Sequence, residues 1–231
     1  METGYGWKQF KDDETPSTVD ITEIFYENVP KGTKILDFGC AWGRIGFQLQ
    51  KMGYNVSGFD INENAIEFAI KNAEKTNAKY TEKLEFTTAN ALELPYNDGT
   101  FDACIMQAFL TTIISDDMRR KIILEAERVL NDDGVLYLAD FGQNWKNPEY
   151  RRRYLEDYSS TGEKGTFIVT EDGKPGSKEL FMAHHYTEEE LRELLNGIFS
   201  IEILEETVFK TFHNNETLGY IILAKKSCKS Q

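Results

Sequence analysis

The order of apolar and polar positions alternates between short apolar runs and longer stretches with helical spacing. Five runs have the length and apolar content of buried strands: 34–38, 55–60, 84–89, 101–106 and 135–140. Segments with apolar residues three and four positions apart separate them, as in the helix predicted over 116–130. This alternation predicts an α/β domain whose parallel strands are joined by right-handed helical crossovers.

The end of the chain follows a different pattern. Residues 199–212 and 218–225 read as two long strands around the polar segment 213–217, and so short a connection joins antiparallel neighbours. Before them, Thr187 and Glu190 have the spacing of a capping box that starts a helix. The pattern therefore predicts seven strands, closing with an antiparallel C-terminal β-hairpin, in a single domain over 1–231.

The first 30 residues are expected to form an N-terminal arm and a helix. An imperfect helical face comes from Val19, Ile21, Ile24 and Phe25, and Ser17 or Thr18 is expected to cap the helix. Tyr5 and Trp7 in the arm are expected either to pack on the domain or to fold over a bound ligand.

Residues 141–186 interrupt the strand and helix rhythm. Positions 141–180 hold seven Lys or Arg and seven Asp or Glu, so this segment is neutral within a chain of net charge −13. An insertion at the carboxyl edge of the sheet is well placed to cover a substrate pocket, and we expect it to contact the substrate. The alternative is a purely structural flap.

The stretch from Ile35 to Gly46 carries the main chemical signal. An apolar run ends on Asp37 and then breaks into Gly39 and Gly43, which predicts a strand, a tight ligand-binding loop and a helix start. Asp60 follows about 20 residues after the glycine loop, at the end of the second strand, where an acid can bind two ribose hydroxyls. The alternative for Asp60 is an acid at a helix N-terminus. Asn90, at the end of the third strand, is placed to read a base edge.

Composition narrows the classes of protein. Hydrophobic residues make up 40% and charged residues 28%, which is typical of a folded globule. The net charge disfavours docking along a nucleic-acid backbone, and no apolar run approaches the roughly 18 residues that span a bilayer. Three widely spaced cysteines fit neither a disulfide framework nor a zinc site, and the start has no secretory pattern, so we expect a cytoplasmic protein with no bound metal.

Together these residues resemble the class I S-adenosylmethionine-dependent methyltransferases, especially the type 11 group, over Ile35 to Asp140 and the terminal hairpin. Asp37, Gly39 and Gly43 match the family's acid and glycine loop, whereas Ala41 replaces its middle glycine. Asn90 stands where the family usually has Asp. The resemblance implies a Rossmann-like sheet with helices on both faces.

Further segments carry the same resemblance. Leu94-Pro95-Tyr96 before Asp98-Gly99, and Arg128-Val129-Leu130 before Gly134-Val135-Leu136, match family segments, and Gln107 matches the position lining the methyl-transfer site. The resemblance implies an S-adenosyl-L-methionine site formed by Asp37, Gly39, Cys40, Ala41, Trp42, Gly43, Asp60, Ile61, Asn90, Ala91 and Gln107.

The activity that the resemblance implies is in-line transfer of a methyl group to a small-molecule acceptor, by a monomer or homodimer. A dedicated base is optional, because the carbon is already activated and the enzyme chiefly supplies alignment and a dry pocket. Where the acceptor must lose a proton, His184 and His185 are the candidate bases, since only histidine titrates near neutrality without large perturbation. The alternative is a structural pair with one ring buried and one exposed. Tyr186 beside them is expected to shape the pocket or contact the sulfonium.

Two rival functions remain open from the sequence. A NAD-dependent oxidoreductase shares a glycine loop and an acid after the second strand, but the position of Asp37 and the terminal hairpin argue against it. A non-catalytic module that binds S-adenosylmethionine and a protein partner would keep the same cofactor residues, and Ala41 and Asn90 are the departures that favour it.

Overall fold

The computed structural model describes residues 19–75, 83–174, 176–210 and 216–227. The strands of these residues are β1 (Lys34–Phe38), β2 (Asn55–Asp60), β3 (Leu84–Thr88), β4 (Phe101–Gln107), β5 (Leu130–Phe141), β6 (Thr166–Thr170), β7 (Glu179–His184), β8 (Phe199–Lys210) and β9 (Glu216–Lys226). The helices are α1 (Glu23–Asn28), α2 (Arg44–Lys51), α3 (Glu63–Lys75), α4 (Asp116–Val129), α5 (Pro148–Glu156), α6 (Tyr158–Thr161) and α7 (Glu188–Leu195). A short 3-10 helix covers Leu110–Thr112.

Seven strands form the central sheet in the order β3-β2-β1-β4-β5-β9-β8. The pairs among β1 to β5 are parallel, whereas β9 pairs antiparallel with both β5 and β8. The predicted α/β architecture and terminal hairpin are therefore confirmed. The order reverses at β1, because β2 lies on one side of it and β4 on the other, and open α/β sheets bind ligands at such a switch point.

Successive residues of the central strands pack on opposite faces of the sheet. Ile35 lies in one buried cluster with Ile105 and Ala139, and Leu36 lies in another with Leu138. Both faces are covered, which explains why these strands read as continuous apolar runs rather than as alternating patterns. The side chains at the carboxyl ends of these strands are divided between the same two faces.

The helix in the N-terminal segment is shorter than predicted. It begins at Glu23 with Thr22 as its N-cap residue, so Val19 and Ile21 are buried in the chain that precedes it. Thr22 makes no side-chain capping bond, and its amide and hydroxyl instead bond the hydroxyl of Tyr137 on β5 at 3.2 and 3.1 Å. The caps proposed at Ser17 and Thr18, and the aromatic residues of the arm, lie outside the described residues.

Two predicted boundaries on β5 and α4 also shift. The helix ends at Val129, and β5 begins at Leu130 rather than at residue 135. Leu130 pairs with Phe101, and regular pairing resumes only at Val135 opposite Ala103, so residues 131–134 form an irregularity inside the strand. The predicted turn is thus retained as a bulge.

Residues 141–186, which we call the lid, form their own small layer at the carboxyl edge of the sheet. The lid contains α5, α6 and an antiparallel two-stranded sheet of β6 and β7. Its end returns to the main sheet through a bridge between Gly142 and Tyr186. Its aromatic residues, among them Tyr150, Tyr154 and Phe167, pack as a separate cluster. Among the described residues, no helix has both the length and the apolar character needed to cross a bilayer.

Candidate active site

The loop between β1 and α2 is built from residues with left-handed backbone conformations. Gly39, Ala41 and Gly43 have φ values of 65°, 46° and 82°. A Cβ atom on Gly39 would lie 2.6 Å from the ring of Phe109, and one on Gly43 would lie 2.6 Å from the ring of Phe86. Glycine is therefore required at both positions, while Ala41 accepts a conformation that L-residues rarely adopt.

Asp60 holds this loop against the end of β2. Its Oδ2 accepts the amide of Ala41 at 3.0 Å and its Oδ1 accepts the amide of Asn62 at 2.8 Å. Burial raises the pKa of the carboxyl although these amide bonds lower it. Each carboxylate oxygen has a second lone pair, so Asp60 retains the capacity to accept hydroxyl groups of a ligand.

Two polar side chains of the carboxyl edge have buried atoms without a protein partner. They are Oδ2 of Asp37, at the end of β1, and both the Oε1 and Nε2 of Gln107, the last residue of β4. Asp37 is 3% exposed, and burial raises its pKa to about 7, although the charge of Arg44 lowers it and that of Asp60 raises it. Buried polar groups are nearly always hydrogen-bonded, so these atoms point to a ligand.

Strand register places Asp37 and Gln107 on the same face of the sheet. Asp37 pairs with Ile105 and Gln107 pairs with Ala139. Residues two apart on a strand share a face, so Asp37, Gln107 and Phe141 all point to the face of Ile105 and Ala139. The carboxyl ends of β1, β4 and β5 therefore present one continuous row of side chains.

Other predicted cofactor residues lie around the same edge. The amide of Ala89 donates to the carbonyl of Asp60 at 3.0 Å, which brings the end of β3 beside β2. Asn90 is exposed there, and its Oδ1 accepts the amide of Leu92 at 3.0 Å, leaving one lone pair on that oxygen. Ala91 is buried, and Ile61 is partly exposed just after β2.

The side chains of Cys40 and Trp42 turn away from the loop. Trp42 is 8% exposed and makes an edge-to-face contact with Phe68 of α3, with ring centroids 5.6 Å apart. Cys40 is buried against Gly58 of β2, where an added Cβ would lie 2.9 Å from its sulfur. Any contact of these two residues with a ligand in the loop is consequently through their backbone atoms.

The three predicted catalytic residues lie at the end of the lid and are all buried. His184, His185 and Tyr186 are 1%, 3% and 2% exposed, so the expected alternative of one buried and one exposed histidine does not hold. The hydroxyl of Tyr186 donates to the carbonyl of Leu110 at 2.8 Å. Thr111 donates its hydroxyl to the carbonyl of His184 at 2.8 Å, so the end of β7 is fastened to the segment after Gln107.

The ring of His184 belongs to a network of charges that sequence reasoning missed. Its Nδ1 lies 2.7 Å from the hydroxyl of Thr166 and 3.2 Å from Oε2 of Glu163, and its Nε2 lies 3.8 Å from Glu190. Arg119 of α4, 3% exposed, donates two bonds to Glu163 at 2.7 and 3.1 Å. The network joins the lid to α4 and α7.

In this network, the effect of neighbouring charges on the pKa values of His184 and Glu163 is larger than the opposite effect of burial. Burial alone would lower the pKa of His184, but its bonds to Glu163 and Glu190 raise it above its ordinary value. Burial would raise the pKa of Glu163, but bonds to His184 and Arg119 hold it well below its ordinary value. Asp140, fully buried at the end of β5, has a pKa raised to about 7 by burial. No local spacing signals these contacts, because Arg119 and Glu163 are 44 residues apart.

Comparison with known proteins gives consistent matches. A family model described as a methyltransferase domain matches residues 30–196. The crystal structure of an S-adenosylmethionine-dependent methyltransferase from Methanosarcina mazei superimposes with a TM-score of 0.85 at 39% identity, covering 91% of this chain and 100% of that one.

Two curated proteins also match part of this chain. Methyltransferase GfsG of Streptomyces halstedii is 32% identical over 136 residues, which are 54% of this chain and 47% of that protein. The 27-O-demethylrifamycin SV methyltransferase of Amycolatopsis mediterranei is 34% identical over 111 residues, 48% of this chain and 39% of that protein. The matches thus span less than half of the length of these two relatives.

Proposed function

The chain belongs to the class I S-adenosylmethionine-dependent methyltransferases, and on that premise we propose that it transfers a methyl group to a small-molecule acceptor by in-line displacement. The observation that carries the proposal is the row of buried polar atoms without protein partners, on Asp37 and Gln107, beside the glycine loop. The fold alone would not distinguish a ligand-binding edge of the sheet from a purely structural one, whereas these partnerless atoms favour a ligand.

The residues at the edge fit S-adenosylmethionine. Asp37 offers a buried carboxylate oxygen to the ammonium group of the methionyl end, and Asp60 offers free lone pairs to the ribose hydroxyls. By the family resemblance, Asn90 and the amide of Ala91 are proposed to bind the adenine. The residues with left-handed backbone conformations let the loop backbone approach the ligand closely. Cys40, Trp42 and Ile61 are proposed to contact the ligand through their backbone atoms.

When bound, S-adenosylmethionine supplies a methyl group on a cationic sulfur, which is already activated for displacement. The chain's own contribution is alignment and exclusion of water. Gln107 lines the point of transfer, and its side-chain amide has both a donor (Nε2) and an acceptor (Oε1) without a protein partner. In this proposal the lid covers that point, and an acceptor-side proton acceptor or hydrogen-bond donor would come from one of the three residues predicted at its end, His184, His185 and Tyr186.

A small-molecule acceptor is supported by three observations. The lid is neutral and rich in aromatic side chains, which suits an uncharged or weakly polar molecule. The net charge of −13 opposes a nucleic-acid backbone. The relative from Amycolatopsis is named for a small-molecule acceptor.

A thermal-shift comparison of S-adenosylhomocysteine with NAD tests the cofactor assignment. Ligands that bind only the folded state raise the melting temperature by mass action, so S-adenosylhomocysteine should stabilise the protein and NAD should not. The matched control is Asp60→Ala, in which the stabilisation by S-adenosylhomocysteine should largely disappear. Stabilisation by NAD alone would overturn the proposal in favour of an oxidoreductase.

A further inference from the structure

The two adjacent histidines at the end of the lid lie in different surroundings. His184 faces Glu163 and Glu190, and its backbone carbonyl is bonded to Thr111, whose amide donates to Asp140. His185 instead stacks on Phe141, with ring centroids 5.4 Å apart and 26° between the planes. Neighbouring residues of an extended chain point to opposite sides, which explains how one dipeptide serves two environments.

Only His185 lies on the side of the sheet that carries the cofactor-site residues. Phe141, on which it stacks, points to the same face as Asp37 and Gln107, as the register of β1, β4 and β5 requires. Asp140, which neighbours His184, points to the opposite face with Leu138. The two histidine rings therefore lie on different sides of the sheet, although the residues are adjacent in the sequence.

Aromatic rings hold His185 in place. Phe167 contacts it edge-on with centroids 4.8 Å apart, and Tyr150 lies at 5.1 Å. Burial lowers the pKa of His185 well below its ordinary value, and the charges of His184 and Arg153 lower it further. The ring is consequently neutral at physiological pH, with a proton on only one of its nitrogens.

The hydroxyl of Tyr154 decides which nitrogen carries that proton. The Tyr154 oxygen lies 2.8 Å from Nδ1 of His185 and accepts the amide of Asn144 at 3.2 Å. In the described part of the chain, Nδ1 is the one acceptor within reach of the Tyr154 hydroxyl hydrogen. Tyr154 therefore donates to Nδ1, and the proton of His185 is on Nε2.

That Nε2–H group has no hydrogen-bond acceptor in the part of the chain that the structure describes, although the ring is 3% exposed. Unlike the partnerless atoms of Asp37 and Gln107, Nε2 of His185 is not completely buried, so this N–H group is accessible to a ligand. It is a hydrogen-bond donor that the lid adds to the polar groups of Asp37 and Gln107.

We propose that His185, held as its Nε2–H tautomer by Tyr154, binds the methyl acceptor by donating a hydrogen bond to an oxygen or ring nitrogen of that molecule. The inference rests on the proposed methyl transfer and deepens it. Tyr154 is a positioning residue that acts through His185. His184 has its ring committed to Glu163 and Glu190 and is a structural residue of the lid. The acceptor is consequently a compound with a hydrogen-bond-accepting atom near the methylated one.

Nuclear magnetic resonance of ring nitrogens tests the assignment without knowledge of the natural acceptor. The chain has three histidines, so isotope-labelled histidine gives a simple spectrum, assigned with single variants of His184 and His213. In protein saturated with S-adenosylhomocysteine, His185 should show a protonated Nε2 and a bare Nδ1. A set of phenols, carboxylates and nitrogen heterocycles should include members that shift the Nε2–H signal of His185 and leave that of His184 in place.

The outcomes separate the two proposals. Failure of S-adenosylhomocysteine to bind would overturn the proposed function and this inference with it. Binding of S-adenosylhomocysteine combined with an unmoved His185 signal for every fragment, or with a proton found on Nδ1, would overturn the inference alone.

Matched variants provide the second test. His185→Phe keeps a flat ring but removes the donor, and should weaken a shifting fragment roughly tenfold while S-adenosylhomocysteine affinity stays within about twofold. His185→Gln keeps an N–H donor and should lose less. Tyr154→Phe leaves the His185 ring intact and should produce a mixture of tautomers, a change that loss of packing alone would not cause. Equal fragment affinity in all three variants would contradict the inference.

Discussion

The ion pair between His184 and Glu163 yields the sharpest prediction about the lid. Glu163→Gln removes the negative charge that faces both His184 and Arg119, while nearly preserving the shape of the side chain. Arg119 then keeps Asp116, which is 87% exposed, and His184 keeps Glu190 at 3.8 Å. Neither remaining carboxylate replaces the contacts of Glu163.

The size of the effect follows from burial and hydrogen bonding. Breaking a fully buried pair costs roughly 3–5 kcal/mol, and Glu163 is 26% exposed, so a loss of about 2–3 kcal/mol is expected. For a chain of this size such a loss lowers the melting temperature by about 4–12 °C. Glu149→Gln is the matched control, because Glu149 pairs with Arg152 at 55% exposure, and should change stability by less than about 0.5 kcal/mol.

The loss should also depend on pH with a defined sign. The pKa of His184 is raised in the fold, so its contribution is complete below about 6.5 and disappears as pH rises through the raised value. The pKa of Glu163 is lowered, so its contribution is complete above about 4.3 and disappears as pH falls through the lowered value. The difference between wild type and Glu163→Gln is therefore largest between about pH 4.3 and 6.5.

Urea denaturation of both proteins at several pH values measures this difference directly. The two proteins are compared at each pH because Asp140, whose pKa burial raises to about 7, also titrates in this range. A difference that is constant with pH, or that grows above about pH 8, would refute the assignment of a charged pair. His184→Asn should remove most of the pH dependence in the same experiment.

Three further outcomes are expected at the cofactor edge. Asp60→Ala should weaken S-adenosylhomocysteine by more than about tenfold in calorimetry, whereas Asp98→Ala at the surface should not, and equal losses would reject the ribose assignment. S-adenosylhomocysteine affinity should rise with pH through about 7, because binding of its ammonium group requires the Asp37 carboxylate. Asp37→Asn should abolish this pH dependence. A wild-type affinity that does not change with pH would contradict the assignment of Asp37. Ala41→Gly should leave stability unchanged or raise it by about 0.5–1 kcal/mol, because Ala41 has a φ of 46°. The control Ala73→Gly in α3 should lower stability by about 1 kcal/mol. A loss of stability in Ala41→Gly would show that the conformation of Ala41 carries no cost.

Much of the sheet could be predicted because local patterns determine it. The bounds predicted for β1 and β2 coincide with those of the structure, and the capping box of Thr187 and Glu190 is present at the start of α7. Continuous apolar runs and capping residues act over a few residues, so no knowledge of the rest of the fold is needed to read them.

The predicted N-terminal helix failed at its start because a distant contact decides it. Val19 and Ile21 are buried as their pattern suggested, but Thr22 bonds Tyr137, which is 115 residues away. That contact holds the chain extended until Glu23. Tertiary contacts of this kind leave no periodic signal in the sequence.

The lid shows the same limit for the site. Its neutral charge and its position after β5 could be predicted, but the charge count gives no sign that Glu163 pairs with Arg119 of α4, outside the lid. The two histidines read alike in sequence, and only the register of Asp140 and Phe141 on opposite faces separates their roles. Trp42 was assigned to the cofactor from its place in the loop, whereas its side chain packs on Phe68.

Methyl transfer to a small molecule can be detected with a label-transfer assay. The protein is incubated with methyl-labelled S-adenosylmethionine and a whole-cell extract, with Asp60→Ala as the control, and the products are separated into small-molecule, protein and nucleic-acid fractions. Labelled product is expected in the small-molecule fraction, in an amount equal to that of S-adenosylhomocysteine, and none is expected with the variant. Tight binding of S-adenosylhomocysteine with no labelled product, or label found only in protein or nucleic acid, would contradict methyl transfer to a small molecule.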